Sequence, residues 1–324
     1  MSEVTCREAI NQALQEEFER DPNVFLLGED VALYEGSFKV TRGLLARFGD
    51  RRVIDTPIAE AGIVGLACGA AMTGLRPVAE LMTVNFGVVA FDQIFNHVAK
   101  ARYMFGGKVA VPMVIRAPGG GGNQLGAQHS HSLEPMFLHC PGLRVVVPSV
   151  PADAKGLLKS AIRSDDPVMF LEHEGLYGTK GEVPDGEHLV PLGKADIKRE
   201  GKDVTLIAVS KMVYVCLDAA KTLEKEGISA EVLDLRSLNP LDRDSLFTSV
   251  SKTRRAVTVE ESWLTGGWGG EIAALLMENL FDDLDAPVLR VGGADVPMPY
   301  NRNLEIAAIP NPDAVVGKVL DMFG

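Results

Sequence analysis

The sequence predicts a two-domain α/β protein, each domain a mostly parallel sheet covered by helices on both faces. Three observations carry that reading. The 324 residues are about twice the ~150 residues of a typical domain. Short apolar runs alternate with stretches of helical period, the pattern of a buried parallel sheet wrapped by helices. The alternation lapses once, between His173 and Lys202, where Pro184, Pro191 and many charged residues are broken by glycines. We therefore expect a first domain over 1–180, a linker over 181–202 and a second domain over 203–324. With 46% apolar and 23% charged residues, a mainly disordered chain is excluded.

Each element has a local reason. Thr5 and Glu8 stand at capping-box spacing before a face of Ile10, Ala13, Leu14 and Phe18, which predicts a first helix. Val24–Gly28, bounded by Pro22 and Glu29, reads as a buried strand. Arg52–Asp55 reads as a strand before a helix of small residues, 60–73, which Gly74 closes at its C′ position. Pro77–Leu81 is a strand, Phe91–Met104 a helix and Val111–Arg116 a strand. After a glycine-rich loop come strand Leu143–Val147, helix Ala152–Ser164 and strand Val168–Glu172. Beyond the linker the expected strands are Val204–Val209, Ala230–Leu235, Ala256–Glu260 and Val288–Val291. Helices fall near 213–226, 242–251, 270–280 and 312–322. No short repeat interrupts them.

Charge and cysteine usage narrow the function. Lysine and arginine number 32 against 44 acidic residues, a net charge of −12, which argues against nucleic acid as a partner. Cys6, Cys68, Cys140 and Cys216 are widely spaced with no C-x-x-C pair, so a reducing compartment is expected. The start shows no basic segment followed by an apolar stretch, and the longest weakly polar run, Ile63–Leu75, is too short for a membrane span. The expectation is a soluble, cytoplasmic protein.

The familiar cofactor motifs are missing. The run Gly119–Gly122 fails the G-x-G-x-x-G spacing, and neither a P-loop nor a G-x-S-x-G elbow occurs. Two features remain. In Asp55-Thr-Pro-Ile-Ala-Glu60, Glu60 follows a strand and opens a helix, the place where open α/β sheets bind ligands. The plainer alternative is a favourable charge at a helix N-terminus, worth ~0.3–1 kcal/mol. The second feature is the long polar loop from Pro118 to Ser132, which holds His129 and His131, both suited to proton transfer near neutral pH. A metal site with His139 and Cys140 is the alternative, although no zinc spacing fits; His131 reads as a solvated loop residue. Phe86 follows a strand, where it either stacks on a planar ligand or packs in the core. Glu29, at another strand's end, reads as a cap or loop charge.

Six short motifs occur in order: Leu27-Gly-Glu-Asp30, Asp55-Thr-Pro-Ile-Ala-Glu60, Phe91-Asp-Gln-Ile94, Gln128-His-Ser130, Cys140-Pro-Gly-Leu143 and Asp153-Ala-Lys-Gly-Leu157. Together they resemble the β subunit of the thiamine-diphosphate-dependent 2-oxo acid dehydrogenases, the E1 component, from about residue 3 to the C-terminus. The resemblance implies a pyrimidine-binding domain followed by a transketolase C-terminal-like domain. It makes Glu60 the glutamate that hydrogen-bonds the cofactor's aminopyrimidine, where proton exchange with the ring nitrogen activates the cofactor. Phe86 and Met82 match the wall beside the pyrimidine. His129 matches an active-site histidine that steadies the substrate or intermediate and assists transfer to lipoyl, and Glu29 an acidic residue of the proton-relay region. The resemblance also implies a potassium ion on the backbone carbonyls of Met113, Ala161, Ile162, Ser164 and Asp166; Ser164 departs from the family's common aspartate.

The family's G-D-G motif, which with a following asparagine holds the diphosphate and its Mg2+, is absent. The resemblance therefore implies half an active site, completed by an α subunit in an α2β2 heterotetramer, with the lipoyl acyltransferase (E2) docking on the second domain. Glu260-Glu-Ser-Trp263 and the segment Ala294–Tyr300 look most like pyruvate dehydrogenases. The segment Glu172–Glu182 also resembles acetoin dehydrogenases, and Phe86 counts against branched-chain enzymes, which tend to have tyrosine there. Two further alternatives are a non-catalytic interaction subunit and a self-contained transketolase-like enzyme.

Overall fold

The computed structural model describes residues 1–323. The chain forms two compact units. The first unites Met1–Gly119 with Met136–Leu192, and the second unites Gly120–Pro135 with the chain from Gly193 onward. The glycine-rich loop, expected in the first domain, thus groups with the second unit.

In the first unit six parallel strands lie in the order Arg144–Val146, Val168–His173, Val114–Gly119, Arg76–Glu80, Val24–Gly28, Val53–Asp55. Val24, Leu26, Val78, Val114 and Phe170 join one buried cluster with Ile10, Leu14 and Phe18 of helix Cys6–Arg20 and Leu157 and Leu158 of helix Pro151–Arg163. Side chains alternate along a strand, so Leu27, Ala79, Ile115 and Met169 point to the other face. Helix Glu60–Met72, none of whose buried residues is in that cluster, packs beside Arg76–Glu80. The first helix starts as its sequence demands: Glu8 N–H donates to Thr5 Oγ1 at 3.2 Å while Thr5 N–H donates to Glu8 Oε2 at 2.8 Å.

Three expectations shift. The strand set at Val111–Arg116 begins instead at Val114, after Pro112, which has no N–H for a ladder. The helix expected over Phe91–Met104 is a π-helical turn, Gln93–Val98, and a short helix, Ala101–Met104. The break falls where the turn at Gly142 comes so close that a Cβ there would lie 1.9 Å from the Ala99 carbonyl oxygen. The expected linker is structured: Lys180–Val183 pairs antiparallel with Ser2–Thr5, and Val190 is buried in the first unit's core.

The second unit is a five-stranded sheet in the order Leu289–Gly293, Ala256–Trp263, Val204–Ala208, Ala230–Asp234, Asp196–Arg199. All pairs are parallel except the last, which brings the other half of the expected linker in as an antiparallel edge. Its core joins Leu206, Val232, Val257 and Val291 to helices Lys211–Lys225 and Pro312–Phe323 through Val213, Cys216, Leu223, Val315 and Val319. Among the described residues no helix is long and apolar enough to cross a membrane.

Candidate active site

In the first unit, Gly28 lies level with Asp55 on one side and with Glu80 on the other. Glu29, the segment 56–60 and Leu81–Phe86 therefore all leave the carboxyl edge of three adjacent parallel strands. The chain runs outward from Val24–Gly28 to Val53–Asp55 and then back across it to Arg76–Glu80, and ligand crevices form where winding reverses in this way. The strands approach closely here, since a Cβ on Gly28 would meet the Glu80 carbonyl oxygen at 2.5 Å. The loops are tied together as well. Asp55 accepts the Ala32 and Leu33 N–H groups at 2.6 and 3.1 Å, and Thr56 N–H donates to the Gly28 carbonyl at 2.9 Å.

Beneath this edge, Arg116 is fully buried and bidentate on Glu172, Nε to Oε1 at 2.6 Å and Nη2 to Oε2 at 2.8 Å, with Glu80 as a third member. Tyr177 Oη donates to Glu172 Oε2 at 2.6 Å.

Glu60 is the first residue of its helix and only 8% exposed. Among the described residues no donor bonds its carboxylate, although buried carboxylates are ordinarily hydrogen-bonded. Glu29 is half-buried beside it. Burial raises the Glu29 pKa first, and the charges of Glu60 and Asp30 raise it further. Met82 is half-buried, and so is Phe86 within the 3-10 turn Val84–Val88. The structure thus brings Glu60, Glu29, Met82 and Phe86 to one sheet edge. A carboxylate with open acceptor positions beside an aromatic and a thioether fits the aminopyrimidine of thiamine diphosphate, which offers N–H donors and a planar ring.

The potassium expectation meets a different arrangement. The Met113 carbonyl accepts Val168 N–H at 3.0 Å and that of Ala161 accepts Ser164 N–H at 3.1 Å. Those of Ile162 and Ser164 converge on Arg76 Nη1, each at 3.0 Å, while Arg76 Nη2 bonds Asp165 at 2.6 Å. The Asp166 carbonyl accepts Ser164 Oγ at 2.9 Å. The guanidinium thus meets two of the five carbonyls, and the other three accept a backbone or hydroxyl donor. No three His, Cys, Asp or Glu side chains cluster to hold a metal among the described residues.

In the second unit His129 is exposed on its loop, its N–H bonded to the Gly126 carbonyl at 3.2 Å. His131, expected to be the solvated one, is half-buried edge-on to Trp263, with ring centroids 5.7 Å apart. Burial, and then the His129 charge, lower its pKa. The loop is held by residues that sequence reasoning did not single out. Glu305 Oε1 accepts Gly122 and Gln124 N–H at 2.9 and 3.0 Å. Glu261 Oε1 accepts Gly121 N–H at 2.6 Å and Ser132 Oγ at 3.4 Å, and Lys211 Nζ donates to the Gly121 carbonyl at 3.2 Å. Of these residues only Glu261 lies in a segment the sequence marked, Glu260-Glu-Ser-Trp263.

Residues 2–180 match the transketolase pyrimidine-binding domain family and residues 193–315 the transketolase C-terminal domain family. The chain is 54% identical to "Pyruvate dehydrogenase E1 component subunit beta-2, mitochondrial" of Oryza sativa subsp. japonica, covering 97% of this chain and 85% of that one. It is 49% identical to "Pyruvate dehydrogenase E1 component subunit beta" of Rickettsia felis, covering 98% and 97%. A solved structure titled "Split gene transketolase, inactive beta4 tetramer" matches with a TM-score of 0.81 at 29% identity, over 98% of both chains. The two sheets, the sheet-edge carboxylates and these relatives agree: the chain belongs to the family of pyruvate dehydrogenase E1 component β subunits, built from transketolase-type pyrimidine-binding and C-terminal domains.

Proposed function

We propose that the chain works with an α subunit, in an α2β2 heterotetramer, as a pyruvate dehydrogenase (acetyl-transferring). The complex decarboxylates pyruvate oxidatively and passes the acetyl group to lipoyl on the acyltransferase. Thiamine diphosphate, when bound, supplies the electron sink for decarboxylation. Glu60 carries the reading, because this nearly buried carboxylate opens a helix at the carboxyl edge of the parallel strands, where open α/β sheets bind ligands. It would hydrogen-bond the pyrimidine ring nitrogen, donating when protonated and accepting once the proton has moved to the ring. Glu29, raised by burial and by the charge of Glu60, is the neighbouring site on the proton relay. Met82 and Phe86 line the ring's face and keep water from it. His129 steadies the substrate and assists transfer to lipoyl.

The diphosphate and Mg2+ are assigned to the α subunit, since the chain has no G-D-G segment. A cytoplasmic, reducing setting is part of the proposal: all four cysteines are free and buried. The Rickettsia relative carries no organelle in its name, whereas the rice relative is named mitochondrial.

The test is reconstitution with an α subunit and assay against pyruvate, acetoin and branched-chain 2-oxo acids. Glu60→Ala should lose roughly 10²–10⁴-fold in rate while keeping its thermal unfolding profile. Wild-type rate in that variant would favour a non-catalytic interaction subunit. Turnover by the isolated chain would favour a self-contained transketolase-like enzyme.

A further inference from the structure

We propose that Glu305 is the positioning residue of His129, its carboxylate fixing the loop 120–135 in the conformation that presents the imidazole. The proposal rests on the role given to His129 above and extends it to a residue that never touches substrate. Glu305 lies in helix Arg302–Ala308 and is 1% exposed, yet it makes no ion pair among the described residues. Its bonds go to backbone: Oε1 takes Gly122 N–H at 2.9 Å and Gln124 N–H at 3.0 Å, and Oε2 takes Gln124 N–H at 3.2 Å. Two backbone amides, two residues apart, thus face one carboxylate that the protein itself supplies.

The loop needs such an anchor. Glycines 119 to 122 open it, and glycine has the most backbone freedom to lose on ordering. Gln124 sits at φ +56°, a left-handed conformation that disfavours any residue but glycine. Both amides held by Glu305 flank this arrangement. The base is closed separately, by Gly120 N–H to the His131 carbonyl at 2.9 Å and by Glu261 on Gly121 at 2.6 Å. Without Glu305 the base stays shut while the arm leading to His129 is released.

Two measurements on the reconstituted αβ protein test this. Amide hydrogen exchange at Gly122 and Gln124 should quicken by about tenfold or more in Glu305→Ala, with Gly120 unaffected, since each amide loses its carboxylate acceptor. Glu305→Gln, which keeps Oε1, should restore most of the protection. Acetylation of a lipoyl domain should slow by about tenfold in Glu305→Ala, and the same substitution should have no further effect in a His129→Ala background, because residues acting through one another are non-additive.

Unchanged exchange at both amides overturns the proposal. So does a Glu305→Ala effect that adds fully to that of His129→Ala, which would mark general structural support. If Glu305→Ala does not assemble, Glu305→Asp withdraws the carboxylate by one methylene, and the same exchange result decides. If the wild-type assembly fails to turn over pyruvate, the functional reading falls, and the exchange arm still judges the anchor alone.

Discussion

At the scale of single residues, two buried carboxylates set a pH dependence. Glu134 is pushed up to about 7, chiefly by burial, with the charges of Glu261 and Glu260 adding to it against a hydrogen bond from its own backbone. Its Oε2 is buried and unpartnered. Glu260 also rises to about 7 through burial, although Ser262 Oγ at 2.7 Å and Gly269 N–H at 3.2 Å stabilise its charge. A folded-state pKa above the unfolded value means that the stability is fully present below about 4.5 and is lost as pH rises through about 7. Glu134→Gln removes that loss. Its melting temperature should exceed the wild type's at pH 8 and converge with it near pH 4.5, as calorimetry across pH would show; equal gains at both ends would contradict the sign. Arg116 poses the opposite case, a cation held by carboxylates on two neighbouring strands. Arg116→Met would strand Glu80 and Glu172 in the interior and should cost about 3–5 kcal/mol, measured by denaturant unfolding at neutral pH.

At the scale of elements, sequence reading succeeded where the cause was local. Thr5 and Glu8 announce the first helix because both capping partners lie within one turn. Gly74 closes the helix begun by Glu60 at φ +102°, as its position after the apolar run suggested. The sheet-edge placement of Glu60 and Glu29 followed from strand-then-helix order alone. Reading failed where the cause was distant. The interruption near Ala99 lies where Gly142, from another turn of the chain, packs against its carbonyl, a contact that the residues of Phe91–Met104 do not reveal. Glu305 and Glu261 hold a loop more than a hundred residues away in sequence, and no local pattern marks such carboxylates. The surroundings of the expected potassium ligands were illegible for a related reason, as the side chain that meets the Ile162 and Ser164 carbonyls comes from strand Arg76–Glu80. Gly28 gives the element-scale test. Gly28→Ala sets a Cβ 2.5 Å from the Glu80 carbonyl oxygen, and forcing the strands apart should cost about 1–3 kcal/mol. The expected readout is a melting temperature lower by roughly 2–10 °C, together with weaker thiamine diphosphate binding as Glu29 and Met82 shift. An unchanged melting temperature would show that the sheet edge yields more easily than its packing implies.

At the scale of the molecule, the two halves of the sequence are not the two units of the structure. The chain leaves the first unit at Gly119, spends 120–135 in the second, returns at Met136 and departs again after Leu192. The second unit is therefore discontinuous, and the carboxylates Glu261 and Glu305 find their backbone donors in the excursion rather than in their own contiguous stretch. For heredity this has a plain meaning. A crossover at residue 193 would join the loop of one parent to the carboxylates of the other. Because those carboxylates grip backbone N–H groups, what must match across the seam is the path of the loop and not its side chains.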